Sequence, residues 1–219
     1  EVLLTCTHTH SGPHTRRCAG VPFDGPYVER LVEWAEQAMG QAAAGPGVEV
    51  EVLHYACPCH ENLNRRVPLP DNSCAYLPDH KHLAPLATGV TDPELGMLFF
   101  VRTDGRGPAA TLVNYAAQPL VSRAEGASAR KVSADYPGAL RRRVEESLGG
   151  SCLFTTGACG DLHPRSYETG FEEMERMAGA LAALVTSGYG DALRNAGAHR
   201  MRSPKLATAI RAVSLGFRK

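Results

Sequence analysis

Two periodicities alternate along the chain. Val28, Leu31, Val32, Ala35 and Met39 fall at helical spacing, with Asp24 and Gly25 as an entry and Gly45-Pro46-Gly47 as a stop, so a helix is predicted between them. Val48, Val50 and Val52 alternate with Glu49 and Glu51, the period of a strand with one wet face. Residues 56–93 hold six prolines and few apolar runs, which predicts a long irregular excursion of the kind that is usually functional. Order returns at residues 95–101, where a turn at Asp104-Gly105 leads into residues 110–115; these two runs predict a hairpin. Residues 136–148 carry a helical pattern with Pro137 in the first turn, where a missing N–H costs little. Residues 152–155 read as a short buried strand and residues 172–185 as an amphipathic helix. Residues 2–5 read as a strand end, and residues 206–217 as a last strand. Strand and helix in this order predict an α/β fold, a mixed β-sheet core with flanking helices.

Composition narrows the partners. With 219 residues, 43% of them hydrophobic, the chain suits one globular domain or one domain plus extensions. Lys+Arg and Asp+Glu balance at 23 each, so no global field favours nucleic acid or an anionic membrane. Arg141-Arg142-Arg143 is a local cluster on an expected exposed helix face. No run of about 18 apolar residues would span a bilayer, and no charged segment followed by an apolar one opens the chain. Localisation and oligomeric state stay open. The seven cysteines are odd in number and scattered, which argues against a complete disulfide framework. Cys57-Pro58-Cys59-His60 has no matching second pair, so loop thiols are favoured there over a zinc knuckle.

Chemistry belongs on the loops that follow strands. Three stretches qualify: CTHTHSGPHT at 6–15, NYAAQP at 114–119 and TTGACGDLHP at 155–164. On a strand, alternate residues share a face, so His8 and His10 in H-x-H could turn into one cavity and bind one metal. Ser11-Gly12-Pro13 suits a loop folding back over such a site. His14, beyond that turn, is expected to be solvated.

The blocks THTHSGP (7–13), NRR (64–66), VTDPELGMLFF (90–100), NYAAQP, SADYPG (133–138) and GACGDLHP (157–164) follow the order found in the neutral/alkaline non-lysosomal ceramidase family, which the chain resembles over about residues 2–187. The resemblance implies a partial ceramidase-like catalytic domain over residues 1–219 and a zinc (Zn2+) cofactor. It implies hydrolysis of the N-acyl bond of ceramide or a related small-molecule lipid or N-acyl substrate. It places a zinc ligand at His8 and a catalytic role against the reacting centre at His10.

Three departures follow from the same resemblance. Where the family has a second zinc histidine, this chain has Gln118, whose oxygen is a weaker donor than imidazole. Where true ceramidases have a nucleophilic serine, this chain has Gly157; zinc-bound water could serve instead, and Cys159 is a less favoured replacement. The glutamate and tyrosine that the family supplies to zinc from beyond the GDLHP block have no counterpart here, and the chain reads as a fragment. Asn64, Arg65 and Arg66 resemble a block at the site entrance that could hold a polar head group, and Asp135 borders the site or caps a helix. Asp161 reads as a turn stabiliser or an orienter of a histidine, and His163 as structural. The alternatives are a remnant without a full metal site, and an amidohydrolase-type barrel with H-x-H on its first strand.

Overall fold

The computed structural model describes residues 4–16, 23–77, 81–123, 131–202, 204, 207, 209 and 211–214. Helix α1 (Gly25–Ala44) starts where the sequence places it: the Asp24 carboxylate accepts from the Tyr27 N–H at 3.0 Å, satisfying one of the donors a helix start leaves free. Strand β1 (Val50–Pro58) begins two residues later than the Val/Glu alternation suggests and runs on to Pro58. Its length is set by pairing, because every residue from Val50 to Pro58 faces a partner on one neighbouring strand.

The proline-rich stretch is less irregular than expected. It contains strands β2 (Asn62–Asn64), β3 (Arg66–Pro68) and β4 (Cys74–Tyr76), followed by a 3-10 helix over Lys81–Leu86. These strands are three residues each, β2 pairing with a strand about a hundred residues on and β3 with β4, and three residues are too few for a period to announce them. Strands β5 (Glu94–Arg102) and β6 (Pro108–Tyr115) form the predicted antiparallel hairpin, with a register shift between Phe100 and Val101. Helix α2 (Asp135–Leu148), strand β7 (Ser151–Thr156), strand β8 (Leu162–Pro164), helix α3 (Phe171–Arg194) and the single turn α4 (Ala196–His199) complete the order.

The main sheet has the order β1-β5-β6-β7, with β6 and β7 parallel and the other pairs antiparallel. It is a mixed sheet with flanking helices, and it does not close into the barrel that an amidohydrolase reading requires. Period two sends Leu53, Met97, Phe99, Val113, Tyr115 and Phe154 to one face, where they pack on Tyr136, Leu140 and Val144 of α2 and Met177, Leu181 and Val185 of α3. Each such side chain contributes about 1.5–3 kcal/mol by leaving water. Gly188 lets α3 approach β1, since a Cβ there would stand 2.8 Å from the Tyr55 ring. A second cluster of Leu63, Val67, Ala75, Leu77, Leu120 and Tyr167 supports the loops after β6 and β8.

Two expected strands are not seen among the described residues. The described residues at the start, 4 and 5, are not in a strand, and none of residues 207, 209 and 211–214 is in one; the remaining positions of both segments lie outside the described residues. Among the described residues, no helix is long and apolar enough to cross a membrane.

Candidate functional site

Strands β6 and β7 run parallel, so the loops that follow them emerge at the same end of the sheet. Residues 7–11 are laced onto that end. The Thr156 hydroxyl donates to the Thr7 carbonyl (2.9 Å), the His10 N–H to the Pro119 carbonyl (3.1 Å), and the Thr9 hydroxyl to the Ser133 carbonyl (2.8 Å). The Ser133 N–H returns a bond to the Ser11 carbonyl at 2.8 Å. All three sequence blocks singled out for chemistry therefore meet here, joined by the start of α2.

His8 and His10 are brought together, though by a different device from strand alternation. Residues 4–9 form no strand, and His8 sits at φ 66°, a left-handed conformation uncommon for a residue with a Cβ and found often at functional sites. The resulting turn sets the two ring centres 5.1 Å apart with an interplanar angle of 53°. Two imidazoles on one tetrahedral zinc, each with Zn–N near about 2.1 Å, put their ring centres roughly 5 Å apart. His10 keeps an exposed edge, yet enough protein surrounds its ring for desolvation to be the first cause of its lowered pKa, followed by the charges of His8 and Arg123.

Gln118 is almost fully buried, at 4% exposure. Its Nε2 donates to the Cys159 carbonyl (3.1 Å) and the Gly160 carbonyl (3.4 Å). The side chain also interacts with His10 in the sense that raises the histidine pKa, and with Nε2 committed to two carbonyls the oxygen is the atom left for that contact. That oxygen is the one atom of the amide a cation would take. Among the described residues there is no group of three or more His, Cys, Asp or Glu side chains placed to hold a metal ion.

The expected substrate-binding residues divide by what their polar atoms already do. Asn64 is committed: its Nδ2 donates to the Val90 carbonyl (2.9 Å) and to the Asp161 carboxylate (3.1 Å), while its Oδ1 accepts from the Arg66 N–H (2.9 Å). Asp135 is committed too. Its carboxylate accepts from the N–H of Val121 (3.1 Å), the N–H and O–H of Ser122 (2.8 and 2.6 Å) and the N–H of Tyr136 (2.7 Å). It thus fixes the 118–122 loop on the start of α2, a long-range role that its place before a helix does not disclose.

Arg65 differs. Its Nη1 donates to the Tyr76 hydroxyl at 2.8 Å and lies 3.3 Å from His163 Nε2, while the guanidinium stacks 4.9 Å from the centre of the Tyr76 ring. No carboxylate forms an ion pair with it among the described residues. His163, 1% exposed, has its pKa lowered to about 4 by burial first and by the charges of Arg65 and His10 after that. It is a neutral acceptor at neutral pH, and its contact with Arg65 is the part of the site that the sequence does not signal.

Gly157 occupies a tight place. Its N–H donates to the Tyr115 carbonyl at 3.0 Å, and a Cβ there would lie 3.1 Å from the Ala116 Cβ and 3.3 Å from Asn114 Oδ1. Cys159 is half-buried, and that burial pushes its thiol pKa up, away from the thiolate that nucleophilic attack needs. Asp161 accepts from Asn64 Nδ2 and, through its carbonyl, from the Arg65 N–H at 2.8 Å, so it braces the turn. His14 is exposed, as expected.

No protein-family model matches the sequence, and no curated protein matches it. Structural comparison does find a likeness. A crystal structure of neutral ceramidase from Pseudomonas aeruginosa superposes with a TM-score of 0.62 over 85% of this chain, at 17% sequence identity. The chain spans 30% of the length of that neighbour. This chain therefore has the α/β fold of part of a ceramidase structure.

Proposed function

We propose that the chain carries part of the site of a zinc-dependent amide hydrolase of the neutral ceramidase type. The observation that carries the reading is the 5.1 Å separation of the His8 and His10 rings at the loop end of a ceramidase-like sheet. In this reading His8 binds the metal and His10 lies against the reacting carbonyl, while the Gln118 oxygen is the second donor. The donor chemistry fits zinc only in part, since catalytic zinc sites use three protein ligands and an amide oxygen is the poorest of this set. Zinc, when bound, supplies a Lewis acid that polarises an amide carbonyl.

The chain's own groups have separable tasks in this account. The lowered pKa of His10 keeps its ring neutral near pH 7, free to donate from one nitrogen and accept at the other. Arg65, unpaired by any described carboxylate, is left to attract an anionic oxygen. Asn64 and Asp135 act by holding loops in place, and Gly157 leaves backbone room beside Ala116. The substrate is a small molecule with an N-acyl bond, split into a fatty acid and an amine.

The test is amine release from an N-dodecanoyl substrate at saturating zinc. The account expects activity that falls at least roughly a hundredfold in His10→Ala and disappears in His8→Ala. No hydrolysis of any N-acyl compound, with zinc present, favours the second reading: a remnant that kept the fold without a competent centre. The tight contacts at Gly157 and the lack of a third His, Cys, Asp or Glu beside the two rings among the described residues are the observations on that side.

A further inference from the structure

A cleft of about 420 Å³ opens beside His10, and the charged side chains in its lining, Arg123 and Lys131, are both cationic. One wall is formed by residues 10–14 and the other by residues 131–132, with Arg123 between them. The two bonds between Ser133 and the Thr9 and Ser11 positions clamp the walls together. Arg123 and Lys131 are both exposed, and no described carboxylate pairs with either. Lys131 extends across the Phe171 ring, 5.3 Å from its centre, a contact that orders a side chain otherwise free to wander. His14 adds a third basic group to the lining.

Among the described residues, Asp135 is the acid whose charge reaches His10, where it opposes that of Arg123. It is 1% exposed, and both carboxylate oxygens are engaged by the Val121, Ser122 and Tyr136 donors described above, so it presents no free oxygen to the cleft. Arg123 acts on the His10 ring strongly enough to help lower its pKa, so its charge is felt at the reacting position. A cleft whose cations form no ion pair with a described carboxylate concentrates anions and disfavours amines.

We propose that this cleft seats an anionic headgroup, a carboxylate or a phosphate ester, on the ligand whose N-acyl bond lies at His10. The inference rests on the N-acyl hydrolase reading and narrows it, from any N-acyl compound to acidic ones. Arg123 and Lys131 make the selection through charge, and His10 takes no part in it. A neutral amide of the same chain length gains nothing from these groups.

Binding of three probes decides this: N-dodecanoylglycine, dodecyl phosphate and the uncharged N-dodecanoylethanolamine, each followed by the amide resonances of Gly12 and Val132. In roughly 20 mM salt, where screening over this distance is weak, at least one anionic probe binds about three- to tenfold more tightly than the neutral one. Whichever anion binds more tightly identifies the headgroup. In Arg123→Glu/Lys131→Glu that preference disappears or reverses; Arg123→Gln/Lys131→Gln, which introduces no new charge, reduces it if the reversed variant fails to fold. Equal binding of the three probes overturns the inference, as does a preference unchanged in both variants. The preference persists in His8→Ala, where zinc is lost. A chain that keeps it without ever binding zinc refutes the metal reading alone, and a zinc-binding chain without it refutes this inference alone.

Discussion

The Asp135 carboxylate grips Ser122 twice, through its N–H at 2.8 Å and its O–H at 2.6 Å. Asp135 also adopts φ 57°, which Asn and Asp tolerate better than most residues. Asp135→Ala removes a buried charged acceptor from several donors and strains the backbone, at a cost of about 3–5 kcal/mol. For a chain of this size that lowers Tm by roughly 6–20 °C. Asp135→Asn keeps one acceptor and the backbone tolerance, so thermal unfolding places it between wild type and Asp135→Ala.

His163 makes stability depend on pH. Its folded pKa of about 4 lies below the ordinary 6.5, so between those values the unfolded chain binds the extra proton and the folded chain does not. Stability contributed in this way is present above about pH 6.5 and declines as pH falls toward 4, by roughly 3 kcal/mol over the whole window. Urea titrations at several pH values check the slope. His163→Asn flattens it over pH 4–6.5, leaving the shallower contribution of His10, which has the same sign.

Gly157→Ser tests whether a serine fits at the position where the proposed reading would place a nucleophile. With Ala116 Cβ at 3.1 Å from the new Cβ, the substitution costs about 1–2 kcal/mol of stability. Pairing it with Ala116→Gly recovers most of the loss in thermal unfolding. If Gly157→Ser is instead neutral, the backbone around Ala116 yields more easily than its contacts indicate.

Thiol reactivity separates the cysteines by environment. Cys6 and Cys74 are exposed, while Cys59 and Cys152 are buried and their thiol pKa values are raised, that of Cys152 to about 11. Iodoacetamide at neutral pH, followed by peptide mass spectrometry, labels Cys6 and Cys74 first, with Cys159 intermediate and the buried pair last. Cys159→Ser leaves any zinc binding unchanged. Early labelling of Cys159 would restore it as a nucleophile.

The three long helices and the β5-β6 hairpin were legible in the sequence because their stabilising contacts repeat with the period of the backbone. Val28 to Met39 shows helical spacing even though α1 has no buried residue. The small strands were not legible, since Asn62 pairs with Pro164 and Val67 with Ala75 and three residues carry no period. Within the site, the residue types of the H-x-H block directed attention to His8 and His10. Their actual approach depends on one left-handed residue that no spacing rule encodes. The roles of Asp135 and Asn64 as anchors escape a sequence reading for the same reason: each depends on hydrogen-bond partners brought from more than a dozen residues away, donors for Asp135 and acceptors for Asn64.

Metal content measures the central claim most directly. Purified chain equilibrated with micromolar zinc, then freed of unbound ion and assayed by atomic spectroscopy, is predicted to retain one zinc per chain, to lose it in His8→Ala, and to hold it more tightly in Gln118→His. Zinc absent from the wild-type chain, or retained equally in His8→Ala, contradicts the account.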